Sequence, residues 1–452
     1  MILSERKKDA VLVAIYTYAG LVLSFVFSSL FIRFDGGALY GIYAHSLAIL
    51  SFIVVALGFG FQVGLVKINI SIEKYKTIAS TTLIFWTLVV SAGMLFYYFF
   101  FYENDFSDSF LLVITAGCAT LTELVSVVWQ WMKRIVAFKG YVAIRSAINI
   151  ILVVLLINNF IQLDTFLILL TAFSISYLIF LIQQSKAVAS LRKVVHVKEN
   201  ISEIKINLWN QSKYFWASLL AVAVYGKIGI VMLKFFAFSN AEIGRYAYVY
   251  TILAALLIFP SAIQTYLLRP LFAKDVDGKN IFRKIFPIYV VLGAICSFLF
   301  WKLIPIGIQI IIGKTPELQN VYYTFAPTIL IVYIANILGM ALMTEGKEKE
   351  RAIIQWGSAI SHVLLTIILI PSYDLMGAAL ATTGSYFFLL CGFLYVVLKE
   401  NIWNVRSYRT PILLCTISPI AYYFNSYIIL LPAIIASGSL IYQQFINRKS
   451  AQ

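Results

Sequence analysis

Long apolar blocks without a single charge recur along this chain, and they constrain its fold more than any other feature. The block Ala10–Ile32 runs for 23 residues without Lys, Arg, Asp or Glu. At a rise of about 1.5 Å per residue, a helix of that length crosses a hydrocarbon layer of roughly 30 Å. Overall 61% of the residues are hydrophobic and 12% are charged, which leaves too little polar surface for a water-soluble globule. The sequence therefore predicts an all-α polytopic membrane protein.

Fourteen apolar segments are candidates for membrane spans. The last two are short and are separated only by Asn425 and Ser426, so a single re-entrant hairpin is the alternative there. The prediction is therefore 12–14 transmembrane helices. The predicted spans are Ala10–Ile32, Tyr40–Val66, Thr77–Tyr102, Ser109–Met132, Tyr141–Phe160, Thr165–Gln184, Ser212–Ala237, Arg245–Leu268, Ile285–Leu303, Tyr322–Thr344, Ala352–Ile370, Met376–Leu398, Thr410–Phe424 and Tyr427–Phe445.

The distribution of charge tests this number of spans independently. If the N-terminus lies in the cytoplasm and the spans alternate, 28 of the 35 Lys and Arg residues fall on the cytoplasmic side and only four fall outside. That asymmetry is the one found in membrane proteins, and an incorrect number of spans would scramble it. Both termini are therefore predicted to be cytoplasmic. The net charge of +15 then reflects orientation and contact with anionic membrane lipids, and nucleic acid is not expected as a partner.

The longest polar connection, Ser185–Gln211, divides the first twelve spans into two sets of six. The predicted domains are a first lobe at residues 1–184, a linker at 185–211, a second lobe at 212–398, and a helical hairpin with a tail at 399–452. A short repeat supports this division, because Ala38–Ala44 and Ala241–Ala247 both read A-x-x-G-x-Y-A at an offset of 203 residues. Parallel repeats of this kind predict two lobes around a central cavity, rocking to give alternating access.

The stretches Leu30–Ala44, Ala56–Lys67 and Ala241–Ala247, with the two-lobe layout and the basic central loop, resemble Wzx-type polysaccharide flippases. These belong to the multidrug/oligosaccharidyl-lipid/polysaccharide (MOP) exporter superfamily. The resemblance implies a MATE-like fold in the bacterial cytoplasmic (inner) membrane. It also implies a carrier, rather than an enzyme, that moves undecaprenyl-diphosphate-linked O-antigen or related repeat units from the cytoplasmic to the periplasmic leaflet. Ion-gradient coupling and contact with the polysaccharide polymerase machinery are further expectations.

Two lysines of span seven are the first candidates for binding an anionic substrate. A cation at the centre of a bilayer costs roughly 2.5–3.5 kcal/mol on insertion scales, so it is expected to face protein or water. Lys227, near the middle of the span, could hold the diphosphate or an acidic sugar; the alternatives are an ion pair with Glu123 or snorkelling to the interface. Lys234 lies two turns further along the same face, where either substrate binding or the outer interface explains it.

Two arginines and one glutamate complete the candidate site. Arg145 lies one turn into span five from the cytoplasmic side, where its guanidinium could meet phosphate oxygens or anchor the span. Arg33 lies at the outer mouth beside Asp35, so it is a candidate for substrate contact or for a local ion pair. Glu123 is the only acid within a predicted span, and it is the candidate for coupling to H⁺ or Na⁺ or for pairing with a buried cation.

No motif for nucleotide hydrolysis or metal catalysis is present. The sequence contains no Walker A loop, no H-E-x-x-H and no G-x-S-x-G, and its four cysteines lack metal-type spacing. The prediction is therefore no metal, no cofactor and no catalytic residue. His45 and His362 lie within spans and are predicted to hydrogen-bond between helices.

Two other functions compete with the flippase. One is a membrane O-antigen polymerase or glycosyltransferase acting on the same lipid-linked material, although the longest outer segment, about Ile304–Val321, is short for holding a glycan. The other is an exporter of drugs or small cations from the same superfamily. That substrate favours acids within the membrane, whereas here, apart from residues at the first or last two positions of a span, three bases (Arg145, Lys227 and Lys234) and one acid lie within spans.

Overall fold

The computed structural model describes residues 15–16, 19–20, 22–33, 37–58, 135–161, 201–271, 278–313, 316–400 and 402. All regular secondary structure within these residues is helical, which confirms the predicted all-α class. The helices are α1 (Val22–Arg33), α2 (Ala38–Gly58), α3 (Ile135–Ile157), α4 (Ile201–Phe235), α5 (Asn240–Leu271), α6 (Gly278–Ile312), α7 (Pro316–Thr344) and α8 (Glu348–Lys399).

These helices coincide with predicted spans. Among the described residues, α4, α6, α7 and α8 are each long and apolar enough to cross a membrane. The chain is therefore a multi-pass membrane protein. Five predicted spans lie outside the described residues: Thr77–Tyr102, Ser109–Met132, Thr165–Gln184, Thr410–Phe424 and Tyr427–Phe445.

The chain divides into two compact units. The first comprises Met1–Phe34 and His45–Ala223, and the second comprises Asp35–Ala44 and Val224–Gln452. Helix α4 runs without interruption from residue 201, so the last eleven residues of the predicted linker are helical and continue directly into span seven. The predicted domain boundaries themselves stay a prediction.

Helix α7 forms the centre of the second unit. It packs against α5, α6 and α8, and 94% of its most apolar stretch is buried within the protein. Lipid is as apolar as a leucine side chain, so close packing and hydrogen bonds between helices hold such a bundle together. Ser297 of α6 donates to the Ala326 carbonyl at 2.6 Å, and Tyr333 of α7 donates to the Leu256 carbonyl at 2.9 Å.

Helix α8 is two spans joined by a sharp turn. Its 52 residues are interrupted at Asp374, whose backbone (φ 51°) is not helical, three residues after Pro371. The turn brings the chain so close to itself that a Cβ added at Gly377 would overlap the Leu369 carbonyl. The two predicted spans Ala352–Ile370 and Met376–Leu398 fall on either side of this turn.

The two ends of α8 meet at an exposed ion pair. Lys347 Nζ, just before the helix, lies 2.8 Å from Glu400 Oε2, just after it. The hydrogen bond between them raises the pKa of Lys347 and lowers the pKa of Glu400. Both ends of α8 therefore lie at the same side, which is the cytoplasmic side in the predicted topology.

Reporter fusions test this topology directly. A fusion at Asn240, in the turn between α4 and α5, is expected to report a periplasmic location, and a fusion at Lys347, between α7 and α8, a cytoplasmic one. Fusions at Ser107 and Glu199 extend the test, with Ser107 outside and Glu199 inside. A cytoplasmic signal at Asn240 or Ser107 would overturn the alternation on which the sidedness of every candidate residue depends.

Candidate functional site

Lys227 lies in the last third of α4, near the middle of the predicted span Ser212–Ala237, and is partly buried. Its Nζ lies 5.0 Å from the centroid of the Tyr250 ring on α5, a distance at which a cation and an aromatic face attract each other. No Asp or Glu among the described residues forms an ion pair with it. The described electrostatic partner of Lys227 is therefore an aromatic ring. No described side chain neutralises the positive charge of Lys227.

Four buried tyrosines form a cluster beside Lys227, and they come from three segments of the chain. Tyr225 of α4 makes an edge-to-face contact with Tyr386 of α8, with ring centroids 5.2 Å apart. The Tyr386 hydroxyl also hydrogen-bonds with Tyr250 of α5, and Tyr246 lies one turn before Tyr250. This tyrosine cluster (Tyr225, Tyr246, Tyr250 and Tyr386) gives the second unit a polar interior within an apolar bundle.

Two glycines flanking Lys227 make room for the cluster. A Cβ at Gly226 would lie 3.6 Å from the Tyr250 hydroxyl oxygen, and one at Gly229 would lie 3.0 Å from the Tyr246 hydroxyl oxygen. The second distance is tighter than most contacts of a real side chain. The segment Gly226-Lys227-Ile228-Gly229 therefore lets two tyrosines of α5 approach the backbone of α4 closely.

A chain of polar groups leads from the cluster into α8. The Tyr246 hydroxyl lies 3.5 Å from Thr382 Oγ1, and Thr382 Oγ1 lies 3.3 Å from His362 Nε2. Both His362 and Thr382 are about 1% exposed. The prediction that His362 links segments by hydrogen bonding agrees with this geometry, since the two residues lie on opposite arms of α8.

A second cation lies at the other end of the cluster. Arg351, near the start of α8, donates from Nη1 to the Met343 sulfur and interacts electrostatically with Tyr225. Gln355, one turn later, hydrogen-bonds with the Tyr225 side chain. Lys227 and Arg351 thus both lie against tyrosines in the second unit.

The remaining predicted lysine and the outer arginine are both exposed. Lys234 Nζ donates to Asn240 Oδ1 at 2.9 Å in the turn between α4 and α5, which agrees with a place at the outer interface. Arg33 ends α1 and is exposed. The described hydrogen bond of Lys234 is thus to Asn240 and not to the tyrosine cluster, and Arg33 belongs to the first unit.

The structure describes little of the last two predicted site residues, Arg145 and Glu123. Arg145 lies within α3, as predicted for span five, but its side chain is outside the described set. Glu123 lies outside the described residues altogether. Their roles as substrate contact and ion-coupling residue stay predictions.

The repeated A-x-x-G-x-Y-A segments pack against each other. A Cβ added at Gly41 of α2 would overlap the Asn240 carbonyl, and one at Gly244 of α5 would overlap the Gly37 carbonyl. The Tyr40 hydroxyl lies 2.9 Å from Thr251 Oγ1 and ties the same two helices together. The two matching glycines therefore form a reciprocal backbone contact at the predicted outer mouth.

The tyrosines, the polar chain to His362 and Arg351 were not among the predicted site residues. The available signal was the spacing of Tyr246 and Tyr250, which are four residues apart and so share one face of an otherwise apolar span. Which helices that face meets depends on tertiary packing, and spacing alone does not reveal it.

Comparison of the sequence with models of protein families, and with curated proteins, finds no match. Several solved structures do match the fold. "Lipid II flippase MurJ, inward closed conformation" aligns with a TM-score of 0.62 at 14% identity, covering 98% of this chain and 100% of that one. An inward-facing "multidrug resistance MATE family transporter of the MOP superfamily" aligns with a TM-score of 0.61 at 12% identity, over 85% of this chain and 98% of that one.

A third match is a MOP superfamily transporter from Pyrococcus furiosus, whose title reads "Reverse polarity of binding pocket suggests different function". It aligns with a TM-score of 0.54 at 11% identity, covering 87% of this chain and 95% of that one. At such identities the likeness shows the fold alone. The chain has the MATE-like fold that the sequence resemblance predicted.

Proposed function

We propose that the chain is a transporter that flips undecaprenyl-diphosphate-linked oligosaccharide repeat units from the cytoplasmic to the periplasmic leaflet, as Wzx-type flippases do. The observation that carries the proposal is Lys227, a cation within a predicted span that contacts an aromatic ring and no described acid. A fold shared with a lipid II flippase supports a lipid-linked cargo, and the inner membrane is the corresponding location.

The charge of the cargo explains why such a cation is tolerated. A diphosphate carries at least one negative charge per phosphate, and an uncompensated ion in a low-dielectric interior costs many kcal/mol. A lysine held by cation–π contact gains only about 0.5–2 kcal/mol from the ring, so its charge is available to an incoming anion. Lys227 therefore binds the diphosphate or an acidic sugar, and the neighbouring tyrosine hydroxyls supply hydrogen bonds to polar groups of the cargo.

An exporter of drugs or small cations shares the fold, as the MATE matches illustrate. The charges of the second unit favour the flippase over it, because the two cations beside the tyrosine cluster are Lys227 and Arg351, and the described carboxylate that interacts with either of them is Glu348, on Arg351 at the start of α8. A cationic drug would meet repulsion there. The polymerase alternative needs a sizeable outer segment to hold the glycan, and the longest outer segment, about Ile304–Val321, is short for that purpose.

The remaining predicted residues are placed as follows in the same cycle. Arg145 meets the diphosphate near the cytoplasmic face, and Arg33 lies near the exit. Lys234, which is bonded to Asn240, lies at the outer interface and is not needed for binding the cargo. Glu123 stays a predicted ion-coupling residue. Alternating access arises from rocking of the two lobes, and polymerase machinery receives the flipped unit outside.

Disruption of the gene in a bacterium of known surface polysaccharide tests this function. The expected result is loss of the polymer with accumulation of single lipid-linked repeat units on the cytoplasmic side. A surface that bears single-unit oligosaccharide without polymer would indicate a polymerase. Unchanged polysaccharide together with increased sensitivity to cationic drugs would indicate the drug exporter and contradict the proposal.

A further inference from the structure

His362 is a buried histidine of the second unit, and its described side-chain hydrogen-bond partner is a hydroxyl rather than a charged group. It is 1% exposed on the first arm of α8. Its Nε2 faces Thr382 Oγ1 at 3.3 Å on the second arm. Its Nδ1 is buried and makes no hydrogen bond to any described residue. Nε2 therefore has a hydrogen-bond partner among the described residues, and Nδ1 has none.

The hydrogen bonds of Thr382 assign the proton of the neutral ring. Thr382 donates its only hydroxyl proton to the Ala378 carbonyl at 2.9 Å, so towards His362 it can only accept. The imidazole must then carry its proton on Nε2 and donate it to Thr382, which leaves the lone pair on Nδ1. Nδ1 is therefore the basic nitrogen, and it is the atom to which a proton would add.

A protonated ring has two described neighbours on different helices. Thr382 Oγ1 of α8 faces Nε2, and the main chain of Tyr225 on α4 interacts with the ring. An imidazolium donates from both nitrogens, so with Nε2 paired to Thr382 the Nδ1 proton needs a carbonyl or a water molecule as its acceptor. A buried cation costs free energy unless such bonds compensate it, so a proton is expected on this ring only while water reaches it.

The other titratable groups of this region belong to the neighbouring tyrosine cluster and its two cations. They are Tyr225 and Lys227 on α4, Tyr246 and Tyr250 on α5, Tyr386 on the second arm of α8, and Arg351 on the ring's own arm. The Tyr225 main chain interacts with the imidazole, and Tyr246 is connected to it through Thr382. Lys227 lies over the Tyr250 ring, and Arg351 interacts with Tyr225. No described carboxylate contacts the imidazole that would hold it permanently charged.

We propose that His362 is a proton-binding site that couples transport to the proton gradient, an inference that rests on the proposed flippase function. The proton adds to the lone pair of Nδ1, forming an N–H bond and an imidazolium with one additional positive charge. Its release returns the neutral ring and a proton to water at the opposite side. Because His362 reaches Tyr246 through Thr382, the protonation state is transmitted to the tyrosine cluster that lies beside Lys227.

Glutamine at position 362 separates this role from a structural one. The side-chain amide of Gln can donate a hydrogen bond to Thr382 as Nε2 does, but it does not bind a proton in this pH range. If the role of His362 were only structural, His362→Gln would therefore preserve it. We expect His362→Gln to be made at normal level and to lower surface polysaccharide at least tenfold. His45→Gln, which replaces a histidine of α2, is the matched control and is expected to stay within twofold of the wild type. Full activity of His362→Gln would overturn the proposal.

A second measurement needs no cargo and so stands apart from the flippase function. The chain has only three histidines, so ¹⁵N-histidine NMR of the purified full-length protein in nanodiscs resolves each ring, with His362→Gln, His45→Gln and His196→Gln giving the assignments. An imidazolium signal that grows as the pH is lowered from 8 to 4 and is missing from His362→Gln is expected. A ring at His362 that stays neutral throughout would refute the proton site, whatever gene disruption shows about the cargo.

Discussion

Replacing Lys227 with alanine is expected to abolish surface polysaccharide, or to reduce it at least tenfold, while the protein inserts at its normal level. The cation costs free energy within the span in the absence of cargo, so its removal does not harm folding. What is lost is the interaction with the anionic headgroup, and hydrogen bonds to charged groups contribute about 1.5–3 kcal/mol each. Loss of one such interaction, at about 1.4 kcal/mol per tenfold, lowers cargo affinity by one to two orders of magnitude.

Two further variants make this result specific. Lys227→Arg keeps the charge and is expected to retain part of the activity, although the wider guanidinium fits less well beside Tyr250. Lys234→Ala removes a lysine two turns further along the same helix that is exposed and bonded to Asn240, and it is expected to change surface polysaccharide less than twofold. The measurement is immunoblotting of surface polymer with the protein level quantified alongside. Full activity of Lys227→Ala would contradict the proposed role of Lys227 in binding the anionic headgroup, and Arg145 would become the next candidate.

Much of the fold follows from sequence because a bilayer leaves few choices. Backbone groups in lipid must bond within a helix, so each uncharged block of sufficient length becomes one helix. The turn at Asp374 illustrates this, since Pro371 and the polar Asp374 mark the break between two apolar blocks and α8 bends there. Helix ends were harder to predict, because α4 begins at residue 201, eleven residues before the apolar segment.

The candidate site was predicted in part. Lys227 stands out in the sequence because a charge within an apolar block is costly, and the structure places it beside Tyr250. The tyrosine cluster was missed because tyrosine is also an ordinary residue of membrane helices, and its partners come from α4, α5 and α8, which meet only in the folded chain. His362 was predicted to hydrogen-bond between helices. That its Nδ1 has no described hydrogen-bond partner depends on which groups surround the ring, and residue spacing does not reveal those groups.

The structure gives a physical explanation for the two matching glycines of the A-x-x-G-x-Y-A repeat, which is a weak signal in the sequence alone. Four matching positions out of seven are modest support for a repeat in a chain rich in Ala and Tyr. The structure shows that Gly41 and Gly244, the matching glycines, occupy a contact where backbone meets backbone and a side chain has no room. Close approach of this kind is the usual role of small residues between membrane helices. The repeat therefore marks a helix crossing at the predicted outer mouth.

Gly244→Val is consequently expected to keep the outer mouth from closing. Its Cβ would overlap the Gly37 carbonyl and lie 2.9 Å from the Gly41 nitrogen, so α2 and α5 must separate. Overpacking of this kind costs about 1–3 kcal/mol. If the proposed rocking breaks the contact in the outward-open state, that cost falls on the closed state alone. At about 1.4 kcal/mol per tenfold, the conformational equilibrium shifts towards the open state roughly 5- to 150-fold, and transport falls at least tenfold.

Gly307→Val provides the matched control, because position 307 also lies within a helix, α6, and a Cβ there meets nothing within 4 Å. It is expected to leave transport within twofold of the wild type. The conformational readout is labelling of a single cysteine, Ala38→Cys at the start of α2, by a membrane-impermeant thiol reagent in a variant lacking the four native cysteines. Gly244→Val should raise the labelling rate several-fold from the periplasmic side and Gly307→Val should not. Unchanged labelling and full transport in Gly244→Val would show that the two glycines do not close the mouth, and that their contact serves packing alone.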